Sequence, residues 1–298
     1  MTNAIRVVHT TRYRYSQPVK FGPHRLLLRP RDGHDLRLVS SAIAISPEPC
    51  LRWHFDTFGN SVAIAEFSLP ADMLEIRSEL LIRRFSHEDF LVSPDRTGSA
   101  YPFVYSSEDL IDLAPFIALE NPRERSKLAA WLGGDAGKAP GEVFAFLRNL
   151  SDSINDRLSY IRRERMGTQS AATTIDSGTG SCRDFAFLFM EAARHFGFAA
   201  RFVTGYLHTA ADDDHEHTGG GSTHAWAEVY LPEEGWVEFD PTNRIIGSPD
   251  LIRVAVTRTP YQAIPVSGTY DQRFGTLYHG MEVDVRVASE PYNPFGVL

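Results

Sequence analysis

The sequence predicts an α+β fold, with a β-sandwich-like region in front and a region that mixes helices with a sheet behind it. Three observations support this prediction. Short runs that alternate apolar and polar residues fill the first third of the chain. Apolar residues at helical spacing follow in the middle. Strand-like runs then come after a strongly amphipathic segment that begins at residue 182.

Five strand-like runs lie between residues 5 and 84, and proline or glycine separates them roughly every ten residues. The runs are Ile5–His9, Arg25–Arg29, Val39–Ile45, Ser61–Phe67 and Leu74–Ile82. Short strands with regular turns are typical of an antiparallel β-sandwich or barrel. Residues 86–105 have no clear period. We therefore place the end of a β-rich N-terminal domain, residues 1–100, within that segment.

The second domain is expected to span residues 101–250 and to begin with helices. Ser106 is a candidate N-cap, Pro122 opens a second helix, and apolar residues from 143 to 154 recur at helical spacing. A helix over residues 182–196 then precedes three strand-like runs. Residues 251–298 hold further strand-like runs, which we expect to pack on both domains.

Composition excludes several classes of protein. The chain of 298 residues has a formal net charge of −8 and no basic cluster with interleaved aromatic residues, so nucleic acid is not an expected partner. It shows neither a signal-peptide pattern nor an apolar run of about 18 residues, which predicts a cytoplasmic protein with no membrane partner. No motif indicates a cofactor or a resident metal, and the oligomeric state is left open.

The two cysteines need separate explanations, because they lie too far apart in the sequence for a CxxC metal knuckle and form no disulfide framework. Cys50 lies beside a strand-like run, and we interpret it as a small, semi-buried apolar residue. Cys182 follows a polar, glycine-containing turn and starts a helix. The free N–H groups and the positive end of the helix dipole favour a thiolate there and can also bind an oxyanion. Without further support, a buried structural cysteine would be the default interpretation.

A predicted hairpin, made of residues 224–231 and 236–240, supplies that support. Alternation along its strands gives one wholly apolar face and one face with polar and aromatic residues. Matching like faces across the hairpin requires a register in which Tyr230 lies opposite Trp236.

In this register Asp240 lies opposite Trp226 and diagonal to His224, within reach of its side chain. A carboxylate at that place would orient the imidazole and stabilise its charged form, as the third member of a catalytic triad does. We therefore predict that Cys182 is a nucleophile, His224 its base and Asp240 the residue that holds the histidine.

Ordered motifs are distributed over most of residues 5–250. The second half contains Gly180–Ala186, Ala200–Tyr206, His224–Glu228 and Trp236–Asn243, and the first half contains His9–Tyr15, Leu28–Arg31 and Asp56–Asn60. Together they resemble the bacterial transglutaminase-like cysteine protease family, including its β-rich N-terminal region. The tail differs, because Ala255–Thr259 lacks an aspartate that the family often has there.

This resemblance implies a papain-like, transglutaminase-core fold for the second domain and a Cys-His-Asp triad at the three residues named above. It also implies a set of residues that support the site: Ser181, Arg183, Asp184, Tyr206, Trp226 and Glu228.

Three weaker signals remain. The acidic and histidine-containing segment Asp212–His217 is interpreted as a mobile loop bordering the cleft, and binding of a divalent cation there is the less favoured alternative. Tyr160 is a candidate donor to an oxyanion, with core packing as an equal alternative. The run 162–165, rich in arginine, is interpreted as a solvated helix end.

The expected reaction is attack of the Cys182 thiolate on a peptide or side-chain amide, which forms a thioester. With water as acceptor the protein would be a cysteine protease or amidase, our first choice. With an amine as acceptor it would be a transglutaminase. Two alternatives stay open, an acetyl-CoA-dependent arylamine acetyltransferase and a non-catalytic module that binds a peptide. The expected partner is a protein or peptide substrate.

Overall fold

The computed structural model describes residues 3–85, 104–133, 142–163, 166–209, 218, 221–232, 234–271 and 275–292. The strands within these ranges are β1 (Asn3–Val19), β2 (His24–Arg29), β3 (Leu36–Ser46), β4 (Pro49–Phe55), β5 (Ser61–Phe67), β6 (Ala71–Arg84), β7 (Ser159–Tyr160), β8 (Thr179–Gly180), β9 (Ala200–Leu207), β10 (His224–Leu231), β11 (Gly235–Asp240), β12 (Ile245–Ile246), β13 (Leu251–Thr257), β14 (Val266–Ser267) and β15 (Tyr278–Pro291). The α-helices are α1 (Ser107–Ile117), α2 (Arg125–Leu132), α3 (Val143–Arg157), α4 (Ala171–Ser177) and α5 (Cys182–His195).

Two four-stranded sheets form the N-terminal region, in the orders β15-β1-β6-β3 and β14-β2-β5-β4. Their inward faces share one apolar core, to which β1 gives Tyr15, β6 gives Ile76, β2 gives Leu26 and β5 gives Ala65. The β-sandwich predicted from the alternating runs is therefore confirmed.

The sequence did not identify β4, and the structure corrects the interpretation of Cys50. This residue lies on β4, paired with Glu66 of β5, and its side chain is exposed rather than semi-buried. The reason is alternation on an edge strand, since the neighbouring Leu51 points into the sandwich core and Cys50 therefore points away from it.

A five-stranded antiparallel sheet, in the order β12-β11-β10-β9-β13, forms the second region, and α5 packs on it. The predicted hairpin register is confirmed, because Tyr230 pairs with Trp236 and the ladder continues to the pair Ala227–Phe239. The apolar face predicted for the hairpin is buried against Phe185 and Phe189 of α5. The mixed α+β class of this half is thereby confirmed as well.

The strands after residue 250 are divided between the two regions. β13 completes the five-stranded sheet beside β9, whereas β14 pairs with β2 and β15 pairs with β1. Apolar residues of the two regions also share a core, in which Val7 and Ile82 of the sandwich meet Ile252 of β13. The boundaries 1–100, 101–250 and 251–298 stay a prediction about domains. In the part of the chain that the structure describes, no helix combines the length and apolarity needed to cross a membrane.

Candidate active site

The loop before Cys182 is held by short backbone pairings. Gly178 ends α4 in the left-handed region, at a φ of 63°, which a side chain would disfavour. The strand pair β7–β8 follows, with Ser159 N donating to Gly178 O at 2.9 Å and Ile161 N donating to Gly180 O at 2.8 Å. The polar turn seen in the sequence is thus tied to the strand that contains Tyr160.

Ser181 and Asp184, two of the predicted supporting residues, lie together at the start of α5. The Asp184 carboxylate is fully buried and accepts hydrogen bonds from Ser181 N at 2.8 Å and from Ser181 Oγ at 2.7 Å. It also accepts from Gln169 N at 2.7 Å and pairs with the Arg163 guanidinium at 2.6 Å. These bonds fix the first turn of the helix, in which Cys182 is the first residue.

The thiol of Cys182 lies beside the ring of His224, the first residue of β10. Cys182 is half-buried, whereas the His224 side chain has no exposed surface. Among the described residues, His224 Nδ1 has no hydrogen-bond partner of ordinary geometry. Nδ1 is therefore the ring nitrogen left for the thiol, since Nε2 is already occupied.

The hydrogen-bond partner of Nε2 is Asp240, the last residue of β11, whose Oδ2 lies 2.7 Å from Nε2. Both side chains are fully buried. Burial lowers the pKa of His224, but the charge and hydrogen bond of Asp240, together with Cys182, outweigh it and raise this pKa to about 10. Burial likewise raises the pKa of Asp240, yet His224 and further hydrogen bonds bring it below its usual range. The geometry thus favours an imidazolium paired with a carboxylate.

Asn243 is a site residue that the sequence analysis missed. Its Nδ2 donates to Asp240 Oδ2 at 2.8 Å, and its Oδ1 accepts from Thr218 N at 2.8 Å. Thr242 N donates to the other carboxylate oxygen of Asp240 at 2.9 Å. The available signal was the Asp-Pro-Thr-Asn turn, in which a side chain three residues after Asp240 folds back onto it.

Trp226 is also brought to the site. Its ring stacks on the His224 ring, with 6.0 Å between centroids and 28° between planes. Its indole N–H donates to Glu238 Oε1 at 3.3 Å.

Tyr160 and Arg183 border the nucleophile. Tyr160 is half-buried, and its ring meets Phe185 edge-on. Burial and the neighbouring Cys182 raise the pKa of Tyr160, while Arg162 and Arg183 oppose that change, so the phenol keeps its proton at neutral pH. Arg183 donates to the carbonyl of Arg163 at 3.1 Å.

Two of the predicted supporting residues lie away from the three central residues. Tyr206 donates or accepts a hydrogen bond with His9 Nδ1 at 2.9 Å and packs among the apolar residues between the two regions. Glu228 pairs with Arg201, and with Arg253 at 3.2 Å. Tyr206 follows Gly205, the β9 partner of His224, and Glu228 lies four residues after His224 on β10.

The arginine run at 162–165 is partly corrected. Arg163 is not solvated, because its side chain has 14% of its surface exposed and its guanidinium pairs with the buried Asp184. Residues 164 and 165 lie outside the described residues, as does the whole of Asp212–His217, on which the lid and cation interpretations depended.

Two family profiles match the chain. Residues 5–83 match the bacterial transglutaminase-like N-terminal region, and residues 135–241 match the transglutaminase-like superfamily. Uncharacterized relatives occur in mycobacteria. Rv2569c of Mycobacterium tuberculosis is 28% identical over 81% of this chain and 79% of its own length. ML0607 of Mycobacterium leprae is 25% identical over 91% of this chain and 95% of its own length.

A solved structure shares the whole fold. It is that of a candidate cysteine protease from Cytophaga hutchinsonii, which superposes with a TM-score of 0.68 at 18% identity and covers 99% of this chain and 94% of its own. The likeness includes the N-terminal sandwich as well as the five-stranded sheet with its helices.

Proposed function

Because this chain belongs to the transglutaminase-like superfamily, with the N-terminal region of its bacterial members, we propose that it is a cysteine protease or amidase that uses Cys182, His224 and Asp240 as its triad. One observation carries the proposal. The thiol at the first position of α5 lies beside a buried imidazole whose other nitrogen is bound to a buried carboxylate, at 2.7 Å.

In the proposed reaction the Cys182 thiolate attacks the carbonyl carbon of an amide and forms a tetrahedral oxyanion. The backbone N–H of Cys182, at a helix start without an intrahelical acceptor, is one donor to that oxyanion. The protonated phenol of Tyr160 is a candidate second donor.

Collapse of the intermediate breaks the C–N bond, and the proton on His224 Nδ1 goes to the leaving amine. The product is a thioester on Cys182. The neutral His224 then takes a proton from water, and the resulting hydroxide attacks the thioester. The C–S bond breaks, the carboxylic acid leaves, and the Cys182 thiolate and the His224 imidazolium are restored. Asp240 holds Nε2 throughout and stabilises the charged ring.

An amine that reached the thioester in place of water would give transfer, so the acceptor decides between hydrolysis and transglutamination. The expected substrate is a protein or peptide. The cytoplasmic location stays a prediction. Fractionation of cells that express a tagged chain would test it.

The first experiment compares the two thiols of the same molecule. Iodoacetamide is added at neutral pH, and carbamidomethylation of Cys182 and Cys50 is followed by peptide mass spectrometry. Cys50 is an exposed thiol on β4 and serves as an internal reference. We expect Cys182 to react at least about tenfold faster, and His224→Ala to remove the difference. Equal rates in the unmodified protein would contradict the proposal.

The second experiment identifies the acceptor. A peptide library that includes glutamine-containing members is incubated with the protein, with and without a primary amine. The masses of the products are measured by mass spectrometry. Cleaved or deamidated peptides indicate hydrolysis, and peptides heavier by the mass of the amine minus that of the displaced ammonia indicate transfer. Cys182→Ser is the matched negative control and Cys50→Ser the matched positive control.

A further inference from the structure

A chain of buried and part-buried polar contacts runs from the catalytic histidine to the N-terminal region, and it begins at Trp226. The indole is fully buried and has little freedom. On one side it stacks on His224. On another side it lies over Gly205 of β9, where a β-carbon would come within 2.7 Å of its ring. Its N–H is directed to Glu238 at 3.3 Å.

Glu238, on β11, is in turn held by Arg253 of β13, whose Nη1 lies 3.5 Å from Glu238 Oε1. The same guanidinium lies 3.2 Å from Glu228 Oε1 and 3.5 Å from Asp35 Oδ2. Asp35 belongs to the N-terminal region and forms an ion pair with Arg84 of β6 at 2.7 Å.

These contacts form a balanced ionic cluster. Its acids are Asp35, Glu228 and Glu238, and its bases are Arg84, Arg201 and Arg253. Buried ion pairs add little net stability compared with apolar residues of similar size. The cluster lies between the sandwich and the five-stranded sheet, directly behind the ring that contacts His224.

We propose that Glu238 is a positioning residue for His224, which it orients through the Trp226 indole, and that Arg253 and Asp35 make this orientation depend on the N-terminal region. The proposal rests on the function proposed above. It assigns the β-sandwich a part in regulating the catalytic site.

The charge state of Glu238 follows from its neighbours. Burial raises its pKa, Arg253 and Arg84 act in the opposite direction, and Glu228 and Asp35 raise it further, with a net value of about 7. An ionised carboxylate accepts a stronger hydrogen bond from the indole than a protonated one does. The orientation of His224 is therefore expected to tighten as pH rises through neutrality.

The test follows His224 directly, by NMR of the chain labelled with ¹⁵N-histidine, with His224→Gln used for assignment. In the unmodified chain the His224 ring resonances should shift with a midpoint near the pKa of Glu238, at about pH 7. Glu238→Gln, which can still accept the indole hydrogen bond, should abolish that step. Glu66→Gln, the same change at an exposed acid of β5, should leave it in place.

Two further variants should move the pH midpoint of the His224 step in opposite directions. Arg253→Met removes the stabilising cation and should move the step to higher pH, whereas Asp35→Asn removes a repelling anion and should move it to lower pH. Circular dichroism establishes that each variant is folded. A His224 signal with no step near pH 7, or a step that neither variant moves, overturns the inference.

Alkylation of Cys182 gives the functional readout. The rate in the unmodified chain should exceed that of Glu238→Gln by about three- to tenfold above pH 8 and match it near pH 6. A constant ratio across this range contradicts the positioning role. If Cys182 reacts no faster than Cys50 while His224 still follows Glu238, the positioning link stands and the proposed enzymatic function fails.

Discussion

His224 Nε2 and Asp240 Oδ2 lie 2.7 Å apart, and neither side chain has exposed surface. In this environment the imidazolium is stable only because the carboxylate is charged. We therefore expect Asp240→Asn to lower the pKa of His224 from about 10 toward or below its ordinary value of 6.5, because only Cys182 then opposes the effect of burial. Titration of the His224 ring by NMR measures this directly. A His224 pKa near 6.5 in the unmodified chain would contradict the paired arrangement.

The same pair makes stability depend on pH. A group whose pKa is raised on folding contributes stability that is complete below its unfolded value, about 6.5, and is lost as pH rises through the folded value. For His224 the folded value is about 10. We expect the unmodified chain to lose about 2–5 kcal/mol of unfolding free energy between these two pH values, from this group alone. Urea denaturation at several pH values measures the loss, and His224→Gln should show a clearly smaller dependence.

The part of the site that the sequence predicted is the part set by local rules. Strand alternation and a two-strand register were enough to bring His224 and Asp240 to one face, and the polar turn before an amphipathic segment was enough to place Cys182 at a helix start. The alternating runs of the sandwich followed from the same rule.

The part that the sequence did not predict depends on contacts between distant segments. The partner of Asp184 is Arg163, which looks solvated in a sequence rich in arginine. Tyr206 and Glu228 belong to the same motifs as the site residues, but their partners come from β1, β9 and β13. Pairing of β15 with β1, at opposite ends of the chain, has no local signal either.

Asp184 offers a test of how far the helix start supports Cys182. Asp184→Ala leaves the half-buried Arg163 and the Ser181 N–H without their acceptor, so we expect a loss of about 3–5 kcal/mol in unfolding free energy. Ser181→Ala should cost only about 1 kcal/mol, as loss of an N-cap side chain usually does. Asp176→Asn, at an exposed acid of α4 that pairs with Lys127, is the matched control and should change stability by less than about 0.5 kcal/mol. Urea denaturation distinguishes the three.

Asn243 is expected to act on the chemistry rather than on folding. Its hydrogen bond lowers the pKa of Asp240, and that bond is lost in Asn243→Ala. The carboxylate of Asp240 should therefore be less firmly oriented toward the His224 ring, and alkylation of Cys182 should slow by about three- to tenfold. Asn155→Ala is the control, because Asn155 donates to the carbonyls of Pro241 and Thr242, at 3.0 and 2.8 Å, without touching the carboxylate. Equal slowing of Cys182 alkylation in both variants would show that the turn, and not the Asn243 side chain, orients the carboxylate.

Asn60 joins the sandwich to the five-stranded sheet and tests how tightly the two regions are coupled. Its Nδ2 donates to Val256 O at 2.7 Å, and its Oδ1 accepts from Val256 N at 2.9 Å. The Asn60 side chain thus makes the two backbone hydrogen bonds that a neighbouring strand would make with β13 at this position. The side chain is buried, and Asn60→Ala leaves both backbone groups without a partner where water is scarce.

We expect Asn60→Ala to lower the unfolding free energy by about 2–4 kcal/mol. Asn60→Asp should cost at least as much, because a carboxylate oxygen would then face Val256 O and the nearby Asp56 carboxylate, which now accepts from Nδ2 at 3.0 Å. The measurement is urea denaturation followed by fluorescence, with circular dichroism as a second probe. A change below about 0.5 kcal/mol for Asn60→Ala would mean that the bond contributes little to the junction.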